Sequence, residues 1–227
     1  MDVLLVFLVV ILGLIGSAVL WSFSFTEIPI WIVFSYLAGS IPFSFLTAKA
    51  FKGIDIRKLG SGNPGAANVY RTAGPAAGIA AFLLDFLKGF LPVFLAARYF
   101  GPDRTVLWII VAICAIAGHM WTVFLNFRGG KGVATSAGVF FAVLPLPAAG
   151  AFALFWAVVL LTKHASTGSI TAAIALPVFS LLLGRPKSLT IFAACMAVLI
   201  IFQHRSNIKR LIEGKELKIR TKTTHTV

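Results

Sequence analysis

The 227-residue chain is 59% hydrophobic, has a mean hydropathy of +0.96 and carries charge on only 12% of its residues. That balance excludes a soluble domain of this size, in which the charged share is about twice as large. The net charge of +13 fits basic loops beside anionic lipid or an anionic substrate better than nucleic acid, because apolar stretches able to cross a hydrocarbon layer of about 30 Å fill most of the chain.

In chain order, the apolar runs predict helices at 3–22, 29–50, 75–98, 106–125, 132–146, 148–162, 168–183 and 188–203. The fold class expected is all-α, a polytopic transmembrane bundle of about eight spans. Residues 1–26 have no basic n-region and no small-residue cleavage site, so they read as a retained first span rather than a signal peptide. Residues 27–215 form the main membrane domain, and 216–227 a basic tail expected to be disordered. Cys114 and Cys195 lie inside apolar runs without metal-ligand neighbours and read as packing residues.

The fifth and sixth runs are short and separated by Pro145 and Pro147, so a single kinked helix is the alternative. Charge decides. With eight spans and both termini in the cytoplasm, 15 of the 20 basic residues fall on the inner side. Merging the two runs would put the tail opposite the basic 49–71 loop, against the positive-inside bias. A span of about 15 residues rises only ~22 Å. Residues 126–132, which lead into the fifth run, are therefore expected to wall a cavity at the membrane surface.

Three polar segments interrupt the apolar pattern, all on the expected cytoplasmic side. The first runs from Gly60 to Arg71 and contains Ser61, Gly62, Asn63 and Asn68. Glycines let backbone N–H groups converge on an anion, and Arg71 adds a permanently charged fork. An ordinary Gly/Asn turn is the plainer alternative. The second contains Gly118-His119 and then Arg128-Gly129-Gly130-Lys131-Gly132. Glycines and a lysine at a helix start suit phosphate, although Gly132 stands where a Walker loop needs Ser or Thr. Arg128 and Lys131 also fit positive-inside anchoring, and His119 fits helix packing.

The third segment leaves the last span as His204-Arg205-Ser206-Asn207-Ile208-Lys209-Arg210. His204, Asn207 and Ile208 share one helical face. Lipid anchoring explains Lys209 and Arg210 but not His204 and Asn207. Inside the third run, Asp85 and Lys88 are spaced to pair, and intramembrane charges are costly and often functional. His164, Ser166 and Ser169 form a weaker polar cluster. No Ser-His-Asp arrangement, no His with Asp five positions on and no metal-ligand set is found, so neither a metal nor a cofactor is expected.

Taken together, the three segments resemble those of the acyl-phosphate-dependent glycerol-3-phosphate acyltransferases, the PlsY-type bacterial membrane enzymes, over about residues 28–215. Ser61-Gly62-Asn63 with Asn68 and Arg71 resembles the first motif of that family. Gly118-His119 through Gly132 resembles the second, and His204 through Leu211 the third. The chain departs from the pattern at Ala67, where Thr is usual, at Thr122, where Pro is typical, and at Arg128, where Lys is common. The resemblance implies a seven-helix core, with 3–22 as an addition, in the inner membrane with a cytoplasm-facing site. It implies transfer of a fatty acyl group from acyl phosphate to the 1-hydroxyl of glycerol 3-phosphate, giving lysophosphatidic acid for phospholipid synthesis.

On that reading Arg71, Lys131, His204 and Asn207 hold glycerol phosphate, while Ser61 and adjacent backbone N–H groups cradle the acyl phosphate. Gly62, Asn63, Asn68, His119, Arg128, Gly129, Gly130, Gly132, Ser166 and Arg205 complete the expected binding set. Membrane lipid is the expected surrounding partner, nucleic acid is not a partner, and the sequence leaves the oligomeric state open. Two other readings stay open at this stage. One is a transporter of a phosphorylated metabolite or lipid, though the chain lacks a convincing internal repeat. The other is a lipid-binding structural subunit.

Overall fold

The computed structural model describes residues 27–219, so the expected first span at 3–22 and the tail from 220 onward lie outside the described residues. The described chain is all-helical: α1 (Glu27–Ser40), α2 (Phe43–Lys52), α3 (Ala66–Ala73), α4 (Pro75–Phe100), α5 (Thr105–Met120), α6 (Val133–Val143), α7 (Pro145–Thr162), α8 (Ala165–Leu182), α9 (Lys187–Gln203) and α10 (Arg205–Ile212). Among the described residues five apolar stretches are long enough to cross a bilayer, or six if α9 and α10 are counted together across their 57° bend.

Two expected spans take unexpected forms. The run expected at 29–50 is broken at Ile41-Pro42 into α1 and α2. Proline cannot donate the helical N–H, and the carbonyls freed before it need other partners inside the membrane. They have them: Thr122 Oγ1 donates to Ser40 O at 2.5 Å and Lys88 Nζ donates to Ile41 O at 2.7 Å. The run expected at 132–146 is helical only over the 11 residues of α6, which rise about 16 Å. It ends at Leu144, before Pro145 opens α7, so the two runs are separate helices.

Large apolar side chains such as Ile30, Val33 and Leu161 face outward, as lipid contact allows. Between helices, where lipid is as apolar as leucine, close approach of small residues carries the packing. Gly39 and Gly118 bring α1 against α5, and Gly89 and Gly138 bring α4 against α6; a Cβ at any of these four would collide with the facing backbone. Those two contacts fix α5 and α6, and with them the 121–132 connection that carries Lys131.

Candidate active site

The first polar segment folds around one side chain. Asn68, on α3, is buried, and its Nδ2 donates to Ile56 O and Leu59 O while its Oδ1 accepts from Ser61 N–H at 3.0 Å. Gly60 turns at φ +59°, a conformation that places Ser61 N–H against that amide. Asn68 was expected to bind substrate. Its amide organises the loop, and the residue also lines the inner cavity.

The second segment corrects another expectation. Gly129 N–H donates to Met120 O and Gly130 N–H to His119 O, so neither is free to cradle an anion. Gly62 N–H is likewise used, by Leu59 O. Glycine is required at 129 and 130 for a different reason: the strand lies directly on the end of α5, and a Cβ at Gly129 would collide with His119 O and one at Gly130 with His119 Nε2. What faces the cavity is Lys131 together with Gly132, Val133 and Ala134 at the start of α6, where helical N–H groups lack intrahelical partners. Thr122, the departure from the family's usual proline, does what proline cannot, bonding Ser40 O through its hydroxyl.

The three segments meet in an inner cavity of about 130 Å³. Ser61, Asn63, Arg71, His119, Lys131, Ser166, His204 and Asn207 all line it. Arg71 reaches Asn68 Oδ1 at 3.4 Å. Lys131 Nζ donates to Asn207 Oδ1. His204 is buried and its Nδ1 sits 2.7 Å from Ile200 O. That bond makes Nδ1 the protonated nitrogen, so in the neutral ring Nε2 holds the lone pair.

Outside this cavity lies a wider recess of about 570 Å³ that shares Ser61, Asn63 and Lys131 with it. Arg57, Lys58, Arg128 and Arg210 add cations to the recess, together with Gly62 and Gly129. Asp55 pins Arg57 there through two side-chain bonds of 3.0 and 2.8 Å, and those bonds hold its carboxyl at about 2. Arg205 belongs to neither space. It is exposed, stacks 4.6 Å over the Phe202 ring and donates to Phe202 O, contrary to the expected binding role.

One residue of the site went unread in the sequence. Glu216, in the segment expected to be a loose tail, has a side chain only 3% exposed. It accepts from Asn207 Nδ2 at 2.6 Å, Ser166 Oγ at 2.8 Å and Arg210 Nε at 2.8 Å. Ile219 N–H then bonds Lys163 O, closing the tail against the end of α7. The signal was faint: an acid amid basic residues, three after Glu213, six after Arg210 and nine after Asn207.

Electrostatics follow from this crowding. Burial, reinforced by Arg210, brings Lys131 down to about 8. Burial lowers Arg71 too, against the pull of Glu216. Burial acts to raise Glu216, but hydrogen bonds from Asn207, Ser166 and Arg210 outweigh it and hold the carboxyl below its ordinary value. The mouth is thus a cluster of cations in which Asp55 and Glu216 are internal counter-charges, open to an added anion.

Beneath the inner cavity an apolar chamber continues between α6, α7, α8 and α9, sharing Phe82, Val133, Phe155 and Ser169 with it. Phe140, Leu176 and Ala193 lie toward its far end, and Ser136 and Ser169 are the only hydroxyls on its walls. A phosphate-bearing head and an apolar chain could occupy the two spaces at once.

The sequence profile of the family described as “Glycerol-3-phosphate acyltransferase” matches residues 29–214. A glycerol-3-phosphate acyltransferase of Endomicrobium trichonymphae is 46% identical over 191 residues, covering 84% of this chain and 95% of the relative. One from Geobacter sulfurreducens is 48% identical over 183 residues, covering 80% and 92%. Among solved structures, PlsY, an integral membrane glycerol 3-phosphate acyltransferase, matches in its glycerol 3-phosphate form with a TM-score of 0.79 and 43% identity, over 84% of this chain and 94% of that one. Its lysophosphatidic acid form matches with a TM-score of 0.78.

Proposed function

Since the chain belongs to the glycerol-3-phosphate acyltransferase family, we propose that it takes its acyl group from acyl phosphate and delivers it to the 1-hydroxyl of glycerol 3-phosphate, releasing lysophosphatidic acid and phosphate. The observation that carries this reading is the junction of three spaces at Ser61, Lys131 and Ser169: a small cationic cavity, a wider cationic recess and an apolar chamber. One acceptor phosphate, one donor phosphate and one acyl chain account for all three.

In this assignment glycerol 3-phosphate sits in the inner cavity with its phosphate on Arg71 and Lys131, beside His204 and Asn207. The donor lays its chain in the chamber and its phosphate near Ser61 and Asn63, toward the recess. The acceptor oxygen attacks the acyl carbonyl carbon, the carbon–oxygen bond to phosphate breaks, and inorganic phosphate departs with that electron pair. Because the donor is already activated, the protein need supply position and positive charge rather than a nucleophile of its own. The hydroxyl proton goes either to His204 Nε2 or to a substrate phosphate oxygen. The inner membrane is the proposed location, with the recess and both termini on the cytoplasmic side.

Purified protein in detergent, supplied with acyl phosphate and glycerol 3-phosphate and no gradient, should release phosphate and form lysophosphatidic acid. Acyl-CoA in place of acyl phosphate should give none, and product from acyl-CoA alone would overturn the donor assignment. In His204→Ala, a loss confined to KM would remove His204 as proton acceptor and leave the substrate phosphate in that role.

A further inference from the structure

Asp85, Lys88 and His119 form a charged cluster in the interior of the bundle, 1%, 6% and 6% exposed. Lys88 Nζ lies 2.7 Å from Asp85 Oδ1, and Ser44 Oγ donates to Asp85 Oδ2 at 2.6 Å. His119 Nδ1 faces the same Asp85 Oδ1 at 3.6 Å. Such a cluster is costly in a membrane and calls for a role. Holding the break in the first helix accounts for Lys88 on Ile41 O and for Ser44. It does not account for His119, which touches neither α1 nor α2 in any hydrogen bond.

His119 points the other way. Its ring stands between Asp85 and the backbone of Gly130, close enough that a Cβ at 130 would force the ring to move. Its carbonyl takes the Gly130 N–H, and the carbonyl of Met120 takes that of Gly129. The same face of Gly130 also looks toward Pro64 O of the first polar segment. The next residue is Lys131. One imidazole therefore spans from a carboxylate fixed by two partners to the strand that carries the central cation of the mouth.

We infer that Asp85, fixed by Lys88 and Ser44, acts through His119 as the positioning element that sets the Gly129–Lys131 strand, and so the place of the Lys131 ammonium, in the cavity. The inference rests on the proposed reaction for its kinetic readout only. Asp85 and His119 also border the inner cavity, but the role inferred for them is to place Lys131 and needs no contact with substrate. A carboxylate, an imidazole and a glycine backbone in series form a rigid stop, because each is buried and none can swing without opening a void.

The test uses two variants of the full chain in detergent. In Asp85→Asn with Lys88→Met the buried charges are removed together, which avoids leaving a lone ammonium in the interior. In His119→Asn the shorter side chain keeps a polar atom toward Asp85 but withdraws from Gly130. Hydrogen exchange of the 127–133 peptide reports the strand without reference to any reaction. Faster exchange there is expected in both variants, with exchange in α8 unchanged. The KM for glycerol 3-phosphate is expected to rise about tenfold, since displacing a catalytic group by a fraction of an ångström has effects of that order.

Wild-type exchange and wild-type KM in a variant that melts like the wild type would overturn the inference. So would failure of both variants to fold, which would make the cluster a folding element. Absence of turnover by the wild-type protein would sink the proposed reaction instead, and the exchange result would stand by itself.

Discussion

The mouth and the chamber share four residues and little else. In the mouth the polar groups are chained to one another: Lys131 on Asn207, Asn207 on Glu216, Glu216 on Ser166 and Arg210. In the chamber, alanines and phenylalanines define a shape rather than a set of polar contacts. A charged group in a partly dry site acts through position, so moving it by one bond length changes the energy steeply. An apolar wall acts through volume, and its effects grow gradually with the volume changed. The two halves of one cavity should therefore respond to mutation on different scales.

The largest effect is expected at Lys131. Lys131→Ala should lower kcat/KM by about 10²–10³-fold, the usual range for losing one preorganised charge at a reacting centre. Steady-state kinetics with a melting control measures it, and a loss under tenfold would mean that the mouth is not built around this residue. Its protonation adds a pH signature. Burial brings Lys131 down to about 8, so the free enzyme holds the cation below that pH and loses it above. kcat/KM should be flat up to about pH 8 and then fall about tenfold per unit. Lys131→Arg, which keeps its charge, should lose activity overall yet abolish the alkaline fall.

Glu216 comes next. Glu216→Gln removes the counter-charge that orients Asn207, Ser166 and Arg210, and kcat/KM should drop about 10–10²-fold, the cost of losing one or two charge-assisted bonds. Arg210 is left without its partner, so its variant Arg210→Ala combined with Glu216→Gln should lose less than the product of the two single changes. Additive losses would show that Glu216 acts apart from this network.

How much of this was legible beforehand follows the same division. The all-helical, many-span character was readable because apolar length is a bulk property, and the motif residues stood out because Gly, Asn, His and Lys are out of place in such a sequence. The break at Ile41-Pro42 was not, because a proline in an apolar run does not say which distant donor will satisfy the freed carbonyl; the shortness of the fifth run was read, though α6 is shorter still. The glycines at 129 and 130 were seen but misread as anion donors. Their N–H groups are consumed by the end of α5, and only the path of the backbone reveals that. Glu216 was missed because its partners come from α8 and α10, a long-range meeting that local pattern does not encode. The chamber left no motif at all.

A smaller, graded response is expected in the chamber. Ala193→Phe adds a ring near its far end, where Phe140 already lies tilted against Phe192, ring centroids 5.1 Å apart. Donors with long chains should lose about tenfold in kcat/KM, within the 1–3 kcal/mol range of overpacking, while short-chain donors should keep most of theirs. Equal losses for all lengths would place the acyl chain elsewhere.

The smallest effect is expected at Arg205, and it marks the edge of the mouth. By sequence it belongs with His204 and Asn207, but the bend after α9 turns it away from the cavity those two line. Its guanidinium lies over Phe202 and bonds Phe202 O, back across the bend at the end of α9. An exposed cation on an aromatic face contributes about 0.5–1 kcal/mol, felt in stability rather than turnover. Arg205→Ala should thus keep kcat/KM within about twofold while Asn207→Ala, two residues on, falls by at least tenfold, as expected for losing a hydrogen bond to a charged group. If Arg205→Ala instead matched Asn207→Ala, the guanidinium would have to leave Phe202 when substrate binds. The mouth would then be a surface that closes around its anion, and the contrast with the passive chamber would be one of motion as well as of chemistry.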